Sequence, residues 1–333
     1  MDKNSVLYYN NSKWGDLSKN PLVSVVICLF NRRNTIVRAI QSIEVQTFKD
    51  IELIVVDNGS TIKVDDIVID YLEKVSIPMM FIRREYGMGP MTGRNTGIKI
   101  ARGKYIALLD DDDEFLPGAL ECLVDEWNNI PEERRHEYRE VVGLCQDQNG
   151  RLIGKPFPDG INELPWRKAL KTCNKSGSAH IALNRSDILK SLPFIEPEGV
   201  TMVTESLLWE QLAVKYKSWF FNEVVYRYYL NSSDSYCHTA KKRNPKQIVV
   251  NGLYNSKYRI EHKRDFQLTF FRLCRLILIY DLYSIVLMRR CGGIPDYEWA
   301  KQHPKGYINH LLRILAYLPA WILSFMYIRR SFR

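Results

Sequence analysis

Four short apolar runs, Leu22 to Ile27 (LVSVVI), Ile51 to Val56, Pro78 to Ile82 and Tyr105 to Leu109, punctuate the first 115 residues. Each has the length of one strand, and the β-branched content without alternation predicts strands buried on both faces. Between them apolar positions recur at helical spacing. Ile36, Ala39, Ile40 and Ile43 predict a helix over Thr35 to Gln46, and further helices are expected over Val64 to Glu73 and Met91 to Ala101. Strand and helix thus alternate four times, which predicts an α/β fold: a doubly wound, mostly parallel central sheet flanked by helices.

In such sheets ligands bind beyond the carboxyl ends of the strands, and the polar residues collect there. Tyr105 to Leu109 stops at Asp110, Asp111, Asp112 and Asp113. Four adjacent carboxylates repel one another, which a metal ion shared with a phosphorylated substrate relieves. A solvated turn capping the helix that starts near Pro117 is the plainer alternative. Asp57 ends the second run at the place where a carboxylate accepts hydrogen bonds from a ribose or a base, although Asp57-Asn58-Gly59-Ser60 also reads as a turn. Phe30 and Asn31 end the first run. Arg94, in GRNTG, opens a helix near the expected phosphates, or is a surface residue. The loop GMGP lacks the ending of a phosphate loop, and no GxGxxG follows the first strand, which disfavours NTPase and dinucleotide readings.

Past Glu114 the pattern is mixed. A helix near Ala119 to Asn128, a strand at Glu140 to Cys145 and a strand, turn and helix start in GSAHIALNRSDI are expected. Leu207, Leu208, Leu212 and Ala213 mark an amphipathic helix entered through Thr204-Glu205-Ser206, with Thr204 as its N-cap and Glu205 in its first turn. Phe270 to Met288 is apolar but interrupted by Arg272, Arg275 and Asp281, against a spanning helix. Ile314 to Ile328 is apolar between arginines and holds Pro319, Trp321 and Tyr327. It falls short of the ~20 residues a bilayer needs. In-plane attachment to an anionic membrane surface is expected, with a packed helical hairpin or dimer interface as the alternative.

A formal net charge of +9 and 46% hydrophobic residues describe a folded, basic chain with an anionic partner. Nucleic acid is disfavoured: the aromatics and lysines between Lys215 and Tyr229 are explained by a helix followed by a core strand. The seven cysteines form no CxxC pair and fit reduced core thiols. The polar first twenty residues do not read as a signal peptide, and a cytoplasmic protein is expected. No Ser-His-Asp or Cys-His set can be placed.

Taken in order, VSVVICLFNRRNTIVRAIQSIEVQTF, IELIVVDNGS and GPMTGRNTGIKIARGKYIALLDDDDEFLPGAL closely resemble the inverting, GT-A-fold nucleotide-sugar glycosyltransferases of family 2 over about the first 120 residues. The resemblance implies a GT-A fold with a Rossmann-like sheet. It implies that Asp110 and Asp112 hold Mn²⁺ or Mg²⁺ on a donor diphosphate, with Asp111 also on the donor side and Asp113 flanking. Asp57 would contact uracil or ribose, Arg94 assist the nucleotide, and Phe30 and Asn31 form the base pocket. Glu205 stands where the family carries a catalytic base, although the second acid of that pair is Ser206 here, and Glu210 lies one turn on. Cys28 replaces the family's usual proline. His238, in the basic segment SYCHTAKK, is a further candidate for the metal or diphosphate, or a surface residue.

The expected organisation is an N-terminal arm over 1–20, a catalytic domain over 21–232 and a helical, membrane-associating region over 233–333. Within the catalytic domain, 21–115 would bind the nucleotide sugar and 116–232 the acceptor. The implied activity is transfer of a sugar, from a UDP-sugar, to a lipid-linked glycan acceptor at the inner face of the cell membrane. A non-catalytic nucleotide-sugar- or glycan-binding subunit is the alternative that Ser206 keeps open.

Overall fold

The computed structural model describes residues 6–15, 20–86, 89–158, 162–164, 180–201, 203–230, 245–264, 266–296, 300, 315–324, 326 and 327. The chain divides into two compact units, one of Met1–Phe194 with Lys215–Asn231 and one of Ile195–Val214 with Ser232–Arg333.

The first unit is built on β2 (Val23–Leu29), β3 (Ile51–Asn58), β4 (Met79–Arg84) and β5 (Tyr105–Asp110), the four runs read from the sequence. They lie side by side in the order β4-β3-β2-β5, all parallel. All eight residues of β3 are buried, which is why that run shows no alternation. The helices α2 (Ile36–Glu44), α3 (Asp65–Lys74) and α4 (Pro90–Ile100) follow in turn, after the four-residue α1 (Ser12–Gly15). The α2 residues Ile36, Ala39, Ile40 and Ile43 are buried in one core with Val25, Ile27, Leu53, Val55 and Phe81. Each of these isoleucine, valine, leucine and phenylalanine side chains contributes roughly 1.5–3 kcal/mol by leaving water. Two polar residues inside β2 and β3 have a local reason. Glu52, fully buried, accepts from Ser24 Oγ at 2.5 Å and from the amide and Nε of Arg102 at 2.7 and 2.8 Å.

The sheet extends on both sides. The edge beside β4 is covered by antiparallel β1 (Val6–Asn10), a strand supplied by the N-terminal arm that its sequence did not suggest. Beyond β5 come antiparallel β9 (His180–Arg185) and then β7 (Tyr138–Asp147), longer than the predicted Glu140 to Cys145. Next is β10 (Lys217–Tyr228), parallel to β7, which also pairs with the two-residue β6 (Glu114–Phe115) and β8 (Glu163–Leu164). The β7–β10 register is irregular. From Phe220 to Tyr226 one strand takes six steps while the other takes three, from Val142 to Cys145, the signature of bulges. α5 (Ala119–Asn129) and α6 (Ser186–Ser191) complete the unit.

In the second unit Val200, Val203 and Leu207 pack with Val249, Leu253, Ile260, Phe266, Ile277 and Tyr280. These come from the segment before α7 (Ser206–Lys215), from α7 itself, from α8 (Pro245–Glu261), from α9 (Phe270–Arg290) and from the α8–α9 connection. The expected cap of α7 is absent: the Thr204 hydroxyl donates to Asn255 Oδ1 at 2.7 Å instead, and only the Thr204 carbonyl meets the helix, at Leu207 N. The helical residues 315–324 turn small side chains inward, with Ala320 and Ser324 fully buried, and Ser324 Oγ accepts from Arg289 Nη1. Leu315, Leu318, Ile322 and Met326, spaced as one helical stripe, are 67%, 63%, 52% and 68% exposed. Among the described residues no helix is long and apolar enough to cross a membrane.

Candidate functional site

Register places the candidate residues. Asp57 on β3 stands opposite Leu29 of β2, and Asp110 on β5 stands opposite Cys28, so the two acids flank the carboxyl end of β2 on either side. Asp57 is fully buried. Its Oδ1 accepts from Ser60 N at 2.9 Å, while Oδ2 lies 3.7 Å from Arg83 Nη1 and accepts no hydrogen bond among the described residues. Burial raises its carboxyl above the ordinary range. A buried acceptor without a donor is costly unless something supplies one.

The four aspartates fan out. Asp110 is the outermost, and its Oδ1 receives Arg94 Nη2 at 2.6 Å. Asp111 turns inward and accepts the Phe30 amide at 2.9 Å, with Arg32 Nε at 3.7 Å. Burial pushes its carboxyl well above the ordinary range. Asp112 pairs with Arg32 Nη2 at 3.2 Å. Asp113, almost wholly buried, accepts from the Tyr226 hydroxyl at 3.0 Å and from Tyr229 N at 2.8 Å. Burial first, and then the charge of Asp110, push it up to about 8.

Asn31 has the left-handed φ of 56° that asparagine tolerates. Its Oδ1 accepts from Thr61 N at 2.8 Å and from Ile62 N at 3.1 Å, so this side chain fastens the loop after β3. The Phe30 ring beside it is half exposed. Arg94 reaches Asp110 because α4 sits unusually close to β2 and β3. A Cβ on Gly93 would lie 2.3 Å from Cys28 Sγ, and one on Gly97 would lie 2.3 Å from Val26 Cγ1. The departure at Cys28 therefore packs against a glycine of the helix, and burial pushes its thiol up to about 12.

Several residues at this end of the sheet were not singled out from sequence. Arg32 was legible in principle, as a cation directly after Asn31. Tyr226 and Tyr229 were not, because they arrive on and just after β10, more than 110 residues from the aspartates they meet. Arg38 lies 3.6 Å over the Tyr229 ring and 3.3 Å from Glu114, which Arg227 also holds at 2.9 Å.

The donor set suits a hard divalent cation: Asp110 and Asp112 offer carboxylate oxygens, and one or two protein carboxylates with substrate phosphates suffice for such an ion. Among the described residues no three His, Cys, Asp or Glu side chains gather into a cage. His238 lies outside the described residues. Glu205 belongs to the second unit, where its carbonyl accepts Leu208 N and Trp209 N at the start of α7. Arg259 Nη2 donates to Ser206 Oγ at 2.8 Å and to Glu210 Oε1 at 2.9 Å, which commits Glu210 to an ion pair.

Four parallel strands with acids at their carboxyl ends and a helix drawn onto them define an α/β protein, and comparison with known proteins gives the family. Residues 24–133 match glycosyl transferase family 2. An uncharacterized glycosyltransferase of Methanocaldococcus jannaschii is 30% identical over 69% of this chain and 77% of its own. A UDP-Glc:alpha-D-GlcNAc-diphosphoundecaprenol beta-1,3-glucosyltransferase of Escherichia coli is 39% identical over 54% of this chain and 68% of its own. The chain belongs to glycosyl transferase family 2.

A GalNAc(5)-diNAcBac-PP-undecaprenol beta-1,3-glucosyltransferase of Campylobacter jejuni is 34% identical over 41% of this chain, and the match spans 42% of that enzyme's length. Among solved structures, S. aureus TarS in complex with UDP-GlcNAc superposes with a TM-score of 0.55 at 16% identity, over 90% of this chain and 81% of that one. The fold is the expected GT-A fold.

Proposed function

We propose that this chain is a metal-dependent inverting glycosyltransferase that moves a sugar from a UDP-sugar to a lipid-linked glycan acceptor, working peripherally at the inner face of the cell membrane. The observation that carries the donor site is Asp57: a buried carboxylate oxygen without a hydrogen-bond donor among the described residues, beside β2 and across it from Asp110. An N–H of a uracil or a ribose hydroxyl supplies the missing donor. The names of the E. coli and C. jejuni relatives support glucose as the sugar and a diphosphoundecaprenol-linked acceptor. The apolar stripe of 315–326 supports membrane attachment.

In this reading Arg94 and Arg32 hold Asp110 and Asp112 in place until the donor arrives. Asp110 and Asp112 would hold Mn²⁺ or Mg²⁺, which would supply positive charge against the leaving group. Glu205 takes the proton of the acceptor hydroxyl as its oxygen bonds to the anomeric carbon. The bond from that carbon to the diphosphate oxygen breaks, its electron pair leaves with the diphosphate, and the configuration inverts. Phe30 offers its ring face to the base.

The test is a panel of UDP-, GDP- and dTDP-sugars, with and without Mn²⁺, read as binding and as hydrolysis. Metal-dependent binding of a UDP-sugar that Asp110→Ala/Asp112→Ala abolishes is expected. Binding of none of the panel overturns the donor site.

A further inference from the structure

At the opposite, amino end of β5 the first unit contains a cavity of about 480 Å³ that the donor site does not use. Its walls come from the start of β5, the end of β9, α6 and the short helical turn Glu132–Glu137. The size lies in the range of small-ligand sites.

The chemistry of the lining is one-sided. Lys104, Arg135, Arg185 and Lys190 face it, against the single acid Asp187. Arg185 takes that acid in a two-pronged pair, at 3.0 and 2.5 Å. The other three cations have no carboxylate partner among the described residues. Arg135 donates to the carbonyls of Ile130 and Asn128, Lys190 donates to the Ala101 carbonyl at 2.6 Å, and Lys104 lies over the Tyr105 ring at 5.4 Å. Carbonyl oxygens accept hydrogen bonds but bring no negative charge, so these three cations carry their charge to the cavity without a carboxylate beside them among the described residues.

Tyr105 adds a hydroxyl to the same lining. The residue is 96% buried by its 4% exposure, its ring stacks on Trp127 at 4.8 Å, and it lines the cavity. Its hydroxyl has no hydrogen-bond partner among the described residues, and the charges felt there are those of Arg135, Arg185 and Asp187. The hydroxyl oxygen is not sealed from solvent, and a phenolic O–H is free to donate to a ligand held in the cavity.

We infer that this cavity is a second anion site, which binds a phosphoryl group through Lys104, Arg135 and Lys190 with the Tyr105 hydroxyl as an added donor. A phosphoryl group matches the set because it brings up to two negative charges and several acceptor oxygens, enough to serve three cations and a hydroxyl at once. The same chemistry is carried by a free phosphorylated metabolite and by a lipid headgroup. The site lies at the other end of β5 from Asp110, so it does not depend on the donor assignment.

The experiment keeps the two sites apart. With UDP and Mn²⁺ at saturation, inorganic phosphate and glycerol 3-phosphate are titrated calorimetrically into the full chain, and sedimentation is measured with phosphatidic acid or phosphatidylcholine vesicles. The same is done for Lys104→Gln/Lys190→Gln, two exposed side chains, and for Tyr105→Phe, which keeps the ring. Binding of either phosphate probe that the double variant weakens at least tenfold and Tyr105→Phe weakens severalfold supports the site and assigns a soluble ligand. Sedimentation with phosphatidic acid alone, reduced by the same variants, supports it and assigns a headgroup. No binding of any probe, or binding the variants leave unchanged, overturns it. Failure to bind UDP in the first place bears on the donor site and not on this one, since the phosphate titration is then repeated with Asp110→Ala/Asp112→Ala as background.

Discussion

The Phe30 amide donates to Asp111 Oδ2 at 2.9 Å, so the end of the first core strand is tied to the aspartate run by a buried carboxylate. This contact gives the acid a structural partner, as Tyr226 and Tyr229 do for Asp113. Asp111→Asn retains an acceptor and relieves the burial of a charge, and its stability should stay within about 1 kcal/mol of wild type. Asp111→Ala strands the amide and should cost about 1–3 kcal/mol in urea denaturation.

The closeness of α4 to β2 predicts a steric coupling. Gly93→Ala pushes a methyl group against Cys28 Sγ and should destabilise the chain by about 1–3 kcal/mol while weakening donor binding through Arg94. Cys28→Ala alone should have a small effect, and adding it to Gly93→Ala should restore a large part of both losses. Simple additivity in this double-mutant cycle counts against the contact.

For the proposed base, Glu205→Gln should lower sugar transfer by roughly 10²–10⁴ and leave UDP affinity unchanged. Glu210→Gln breaks the Arg259 pair and should act on stability more than on turnover. An unimpaired Glu205→Gln enzyme would return the role to another residue.

How much of this was legible beforehand follows from where the chemistry sits. The βα alternation was readable because four buried runs are apolar apart from Ser24 and Glu52, and the acids at Asp57 and Asp110 fall where the second and fourth runs stop. The edge strand β1 was hidden: Leu7 and Tyr8 are exposed, so its pattern carries no burial signal. The division of labour among the four aspartates was hidden too, since Arg32, Arg94, Tyr226 and Phe30 choose which acid points where, and only the tertiary fold brings them together. The Thr204 cap failed for the same reason: Asn255, on another helix, competes for the hydroxyl.

Acid should loosen the clip formed by β8 and β10. Burial raises the Glu163 carboxyl, but hydrogen bonds from Tyr138, Arg134 and Lys217 outweigh it and hold the group at about 2. The stabilisation is fully present above the unfolded value near 4.5 and is lost as pH falls toward 2. Glu163→Gln should therefore be less stable than wild type at pH 7, by roughly 1 kcal/mol given solvent screening. The difference should vanish near pH 2, as measured by denaturant melts across that range.

For membrane attachment, Leu318→Glu/Ile322→Glu places charge on the outward stripe and leaves Ala320 and Ser324 packed. Co-sedimentation with phosphatidylglycerol vesicles should fall at least tenfold, with the thermal transition unchanged. Loss of a dimer, in place of loss of vesicle binding, would assign the stripe to a second copy.

The irregular pairing of β10 with β7 bears on what lengths this chain tolerates. Side chains alternate along a strand, so the three surplus residues between Phe220 and Tyr226 decide which face Tyr226 occupies. Delete one, and the hydroxyl that meets Asp113 turns to the other side of the sheet, taking with it a link between this strand and the aspartate run. A gap in this stretch would therefore be selected against far more strongly than one in a surface loop. In relatives that keep the aspartate run, length should vary freely in the connections and stay fixed from Phe220 to Tyr226.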